Sequence, residues 1–183
     1  MKTNKYLLLS AFLLSILLTG CIGVNSEFKS IRKTFFDNAE IKYKKEFEIG
    51  IGSLGLSLAG TIVKIADDEH EYLDDMIKEI SSVQVGTYII DPDDIPLYRN
   101  NMTQLVNKLR EDDWNLIIKN ISSSELNLVF VKEFYEEEDE EITLLVINVD
   151  NNETVIAEIE GNLAKVITYA LKEKGFRVAS NFD

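Results

Sequence analysis

The run Gly50-Ile51-Gly52-Ser53-Leu54-Gly55 matches G-x-G-x-x-G, the spacing with which a strand-to-helix turn lays backbone amides around a pyrophosphate. Asp67 and Asp68 follow at about the distance where a dinucleotide site keeps its ribose-binding acid. The surroundings argue otherwise. The incoming strand alternates apolar residues with Lys and Glu, whereas a buried parallel strand is apolar on both faces, and the acidic pair falls between two helices. The glycines are therefore read as serving close packing and a tight bend. A second group, Glu133, Glu136, Glu137, Glu138, Asp139, Glu140 and Glu141, crowds seven carboxylates into nine positions. It could gather Ca²⁺ or meet a basic partner, but it lacks the alternating ligands and turn glycine of a calcium loop. It reads as a solvated hairpin tip. His70, among Asp67, Asp68, Glu69 and Glu71, reads as helix-end electrostatics, and Ser122-Ser123-Ser124 lacks the strained elbow of a hydrolase nucleophile. Trp114 reads as packing where a helix gives way to a strand. No nucleophile–base pair emerges, so the chain is read as no enzyme, with no catalytic, cofactor-binding or metal residue assigned.

Cys21 is the residue with assignable chemistry. It is the only cysteine in 183 residues, which excludes an intrachain disulfide, a multi-thiolate zinc site and a CxxC redox pair. Before it, Lys2 and Lys5 form a basic start, and Tyr6 to Leu18 form an apolar stretch shorter than the ~20 residues that span a bilayer. Leu18-Thr19-Gly20-Cys21 then resembles the lipobox of bacterial lipoproteins. The resemblance implies cleavage before Cys21, a diacylglycerol thioether on its sulfur and acylation of the new amino group. Two or more chains anchor stably, at roughly 0.8 kcal/mol per buried CH₂. Ile22 stands where an inner-membrane retention aspartate would, which favours the outer membrane in a two-membrane cell. The expected partition is a signal peptide over 1–20, a tether over 21–38 and a single domain over 39–179.

Charge narrows the partners. With 32 acidic and 19 basic residues the chain carries −13, which excludes nucleic-acid binding. Residues 22–66 hold seven basic and five acidic residues, and residues 67–183 hold ten and 27. Lys29, Arg32, Lys33, Lys42, Lys44 and Lys45 could rest on anionic headgroups, but a solvated basic face is the preferred reading.

The elements are read from periodicity. Residues 22–38 show none sustained. Glu40 to Ile51 alternates, with Ile41, Tyr43, Phe47, Ile49 and Ile51 on one face and only Lys45 spoiling it, as a half-buried strand does. Leu54 to Ala66 reads as a buried helix. Asp67 or Asp68 caps a second helix carrying Leu73, Met76, Ile77 and Ile80. Val83–Ile90 is a strand, Asp91 to Asp94 a turn, and Tyr98, Met102, Leu105, Val106 and Leu109 form a helical stripe. Strands at Trp114–Ile121, Leu126–Phe134, Ile142–Val149 and Thr154–Glu160 are joined by short hairpins. Leu163, Val166, Ile167, Ala170 and Leu171 make a closing helix stopped by Gly175.

This order, together with Leu109-Arg110-Glu111-Asp112-Asp113-Trp114, Leu144-Leu145-Val146-Ile147 and Ile156 to Leu163, resembles the domain-of-unknown-function 4252 family of small bacterial lipoproteins. The resemblance covers about Glu40 to Gly175 and implies export and architecture, with no activity or site residues. The expected fold is α+β, in the order β-α-α-β-α-β-β-β-β-α. An antiparallel sheet of about five strands carries amphipathic helices mainly on one face. Its expected core is Leu105, Leu109, Leu128, Phe130, Leu144, Val146, Ile159, Val166 and Ile167. The expected function is a membrane-anchored, non-catalytic interaction or structural module of the cell envelope. It would be attached to the membrane through Cys21 and meet envelope proteins; a carrier for an apolar small molecule or lipid is the alternative.

Overall fold

In the computed structural model, residues 23–39, 41–58, 73–122, 125–136 and 139–173 are described. Their elements are α1 (Ser26–Ala39), β1 (Tyr43–Gly52), α2 (Leu73–Lys78), β2 (Ile80–Ile90) and α3 (Ile95–Glu111). β3 (Asn115–Ile121), β4 (Glu125–Glu136), β5 (Asp139–Asp150), β6 (Glu153–Gly161) and α4 (Leu163–Glu173) complete them. Residues 53–58 are also helical. His70, Asp67, Asp68, Ser123, Ser124, Gly175 and Cys21 lie outside the described residues, as do the side chains of residues 133–140.

Short connections leave β3 to β6 little choice but antiparallel pairing, for a two- or three-residue link cannot carry a parallel crossover. The described residues form one six-stranded antiparallel sheet in the order β1-β2-β6-β5-β4-β3. The α+β fold with an antiparallel sheet is as expected, but the sheet has six strands where about five were expected. The order also gains a leading helix.

That helix is α1, which lies in the expected tether. Val24, Phe28, Ile31 and Phe35 recur at helical spacing and are all buried. Together with Met102, Leu105 and Leu109 of α3 they close over Tyr88, Ile90, Leu128, Phe130, Leu145, Ile147 and Ile156 of the sheet. On α3, Pro96 occupies the first turn, where no N–H is needed, and Lys108 and Arg110 occupy the last, where positive charge suits the helix dipole.

Two expectations about burial are corrected. Leu144, Val146 and Ile159 point to the opposite sheet face and are half-buried, while Leu145, Ile147 and Ile156 form the buried rows. Leu54, Leu58 and Ile167, expected inside, are 72%, 65% and 60% exposed. The pattern identified two faces of each strand; α1 and α3 decide which is sealed.

β1 also departs from strict alternation. Its register shifts between Lys45 and Phe47. Tyr43 and Lys45 stand opposite Ile90 and Tyr88, and beyond the bulge Glu48 and Gly50 take over the α1-covered face. Phe47, Ile49 and Ile51 pass to the other side. Lys45, the residue that spoiled the alternation, marks the place where the strand changes phase.

Candidate functional site

The head of α1 is built on a polar floor. Asn25 precedes the helix and caps it, its Oδ1 accepting from Phe28 N–H at 2.7 Å. The Asn25 backbone N–H donates to Gln84 Oε1 at 2.6 Å, and Gln84 Nε2 donates to Glu158 Oε1 at 2.5 Å. Gln84 and Glu158 are register partners on β2 and β6, so the sheet itself fixes this relay. Beside it, Ser82 donates to Glu160 at 3.0 Å, and Thr143 pairs with Glu160 on one side and Lys132 on the other.

Glu158 is 1% exposed, and its Oε2 has no hydrogen-bond partner among the described residues. Burial disfavours its charged form, and the charges of Glu27 and Glu160 add to that. The amides of Gln84 and Asn25 oppose the shift, and the carboxyl is pushed up to about 7. Its neutral form therefore persists well above the ordinary carboxylate range. A buried carboxyl with such a shift beside a cleft marks a candidate site.

Two clefts open by the head of α1. One, of about 300 Å³, is lined by Gly23, Asn25, Gly50, Leu54, Ser82 and Gln84. The other, of about 480 Å³, runs past Glu27, Ser30, Asp112, Asp113, Trp114 and Lys132. Lys132 Nζ pairs with Glu27 at 3.0 Å and lies 5.7 Å from the centre of the Trp114 ring. Trp114 itself is buried and serves packing.

A second buried carboxylate sits further along α1. Glu48 accepts from Arg32 Nη1, from Tyr88 Oη at 2.7 Å and from Lys45 Nζ at 3.2 Å. Burial works against its charge, but the hydrogen bonds from Tyr88, Arg32 and Lys45 outweigh that and hold the carboxyl below its ordinary range. Burial and the same bond push the Tyr88 hydroxyl well above its usual range.

The glycine motif lies at the edge of the first cleft, on an edge strand paired antiparallel to β2. That is not the central parallel strand of a dinucleotide fold. Gly50 serves close approach: a Cβ there would stand 2.6 Å from Gly23 O. The acidic run brackets the β4–β5 hairpin, where Glu136 pairs with Asp139, and Glu141 accepts from Ser81 Oγ at 2.7 Å. Ser122 Oγ accepts from Glu125 N–H at 3.0 Å, a turn contact. Of the basic residues, Arg32 and Lys45 are engaged by Glu48 and Lys132 by Glu27.

Gln84 and Glu158 were not singled out from sequence. The signal was parity: Glu158 stands two residues from Ile156 and four from Thr154, on the row that α1 covers. Comparison with protein-family models, curated proteins and solved structures returns no match for this chain.

Proposed function

We propose that this chain is a lipoprotein of the bacterial cell envelope. Acyl chains on Cys21 hold it on the extracytoplasmic side, on the outer membrane in a two-membrane cell, and its domain acts as a non-catalytic interaction or structural module. The resemblance to the domain-of-unknown-function 4252 family belongs to the same proposal. The observation that carries it is the short distance between lipobox and fold. Val24 is already buried, three residues beyond Cys21. Three residue steps span at most about 11 Å, so an anchored domain works at the membrane surface and not at the end of a long arm.

Cys21→Ser tests this. The variant is expected to fold, since no core residue is touched, but to lose metabolic labelling by a fatty-acid analogue and accumulate as uncleaved precursor. Equal labelling of both proteins, or wild-type protein processed elsewhere than Gly20–Cys21, would overturn the reading.

The alternative, a carrier for an apolar small molecule or lipid, draws support from the second sheet face. There Ile49, Val83, Val85, Leu144, Val146 and Ile159 are only half-buried. Native mass spectrometry of the purified protein would show a retained ligand.

A further inference from the structure

We infer that the end of the sheet beside Cys21 is a membrane-contact surface, in which Leu54 and Leu58 enter the lipid alongside the acyl chains. The inference rests on lipidation of Cys21 and adds a second, non-covalent attachment to it. Gly23 N–H donates to Gly50 O at 3.2 Å, and the absence of a Gly50 side chain lets the two backbones meet. This clamps the chain two residue steps after Cys21, within about 7 Å of the acylated residue at full extension. Leu54 lines the same cleft of about 300 Å³ as Gly23, so it lies a cleft's width from the point of attachment. In helical residues 53–58, Leu54 and Leu58 stand one turn apart on one face, and they are 72% and 65% exposed. An anchor fixed so close to the fold brings that apolar face to the acyl–headgroup boundary, where its exposure to water ends.

The basic groups lie away from this contact. Lys42, Lys44 and Lys45 lie toward the far end of β1, roughly 20 Å or more from Gly52 at about 3.3 Å per residue. The contact is therefore apolar and not electrostatic. The register puts Gly52, Ser82, Glu160 and Thr143 at one end of the sheet, so the β4–β5 hairpin opens from that same end, three strand steps across from β1.

The test uses full-length lipidated protein reconstituted in vesicles of zwitterionic phospholipid. Leu54→Cys and Leu58→Cys receive an environment-sensitive fluorophore, with Lys44→Cys and Asn151→Cys, at the opposite end of the sheet, as references. Cys21 is blocked by its thioether. Blue-shifted emission at 54 and 58, lost to a quencher carried on lipid acyl chains while 44 and 151 stay aqueous, is the expected result. Equal, aqueous emission at all four sites in protein that carries the fatty-acid label would overturn the contact and leave the lipidation reading standing. Failure of the label itself would overturn both. Emission changes that need anionic lipid, or that follow protein concentration and respond to a quencher on a second copy, would overturn the proposal in favour of charge or self-association. As a further check, lipidated Leu54→Glu/Leu58→Glu should transfer between vesicles faster than wild type, with its thermal transition kept; an unchanged rate would count against the contact.

Discussion

Two glutamates lie under the same helix and meet opposite fates. Glu48, under the middle of α1, is surrounded by Arg32, Tyr88 and Lys45 and is held ionised. Glu158, beneath the head of α1, has the neutral amides of Gln84 and Asn25 beside it, two carboxylates nearby and one oxygen without a partner among the described residues. Both are removed from water by the same layer. Desolvation raises both, and the donors within reach decide the sign. One region is therefore a locked ionic joint and the other a titrating one, whose Gln84 lines the first cleft.

The largest break in this contrast comes from the ionic joint. Glu48→Ala leaves a partly buried guanidinium and a buried phenol without their acceptor. Breaking a buried pair costs about 3–5 kcal/mol, and Arg32 keeps 21% exposure, so about 3 kcal/mol is expected. Urea midpoints at pH 7 would measure it; a loss below 1 kcal/mol would mean that the joint is held mainly by packing.

The two carboxyls should also respond oppositely to pH. Glu158 holds its proton up to about 7 in the folded chain, while the unfolded carboxyl releases it near 4.5. Between those values the folded state binds more protons, so stability falls as pH rises and levels off above about 7. Roughly 2 kcal/mol of this slope should disappear in Glu158→Gln, read as the difference between the two proteins' urea midpoints from pH 5 to 8. Glu48, with its lowered folded value, contributes stability that is present above 4.5 and lost as pH falls below it. Identical slopes for wild type and Glu158→Gln would remove the titrating joint.

A smaller effect tests how Tyr88 reaches Glu48. A Cβ on Gly86 would collide with the Tyr88 hydroxyl end, and the ring is pinned in the core, at 5.1 Å between centroids from Phe36. Gly86→Ala should cost about 1.5 kcal/mol through overpacking, and the Tyr88→Phe background should reduce that cost. The smallest change is Asn25→Ala, which removes the cap of α1 and should cost about 1 kcal/mol by thermal melting. It should also speed amide exchange at the head of α1 while leaving the stretch over Glu48 unchanged.

Much of this frame was legible in the sequence. The Met102–Leu105–Leu109 stripe, the hairpins from Asn115 onward and the turn at Asp150–Asn152 follow local rules, and the structure places them accordingly. α1 was equally legible in hindsight: Asn25 as cap and Phe28, Ile31 and Phe35 at spacings of three and four carry its signature. The short run between a lipobox and a strand reads as linker until those aromatics are placed on a wheel. The phase change in β1 left a single mark, Lys45, which alternation alone treats as noise.

The sequence by itself determined the acidic charge, the lipobox-like run Leu18-Thr19-Gly20-Cys21, the run of antiparallel hairpins and the two-sided character of each strand. These depend on composition and on contacts between neighbours in the chain. Only the tertiary structure decided that α1 seals the Leu145–Ile147 rows in preference to Leu144–Val146, and that Glu158 ends beneath it against the Gln84 amide. Those outcomes hinge on partners far apart in sequence: Asn25 and Gln84 are 59 residues apart, Gln84 and Glu158 74. The solvation of a carboxylate, and so its charge, is set by what the fold packs against it, which no local pattern of residues contains.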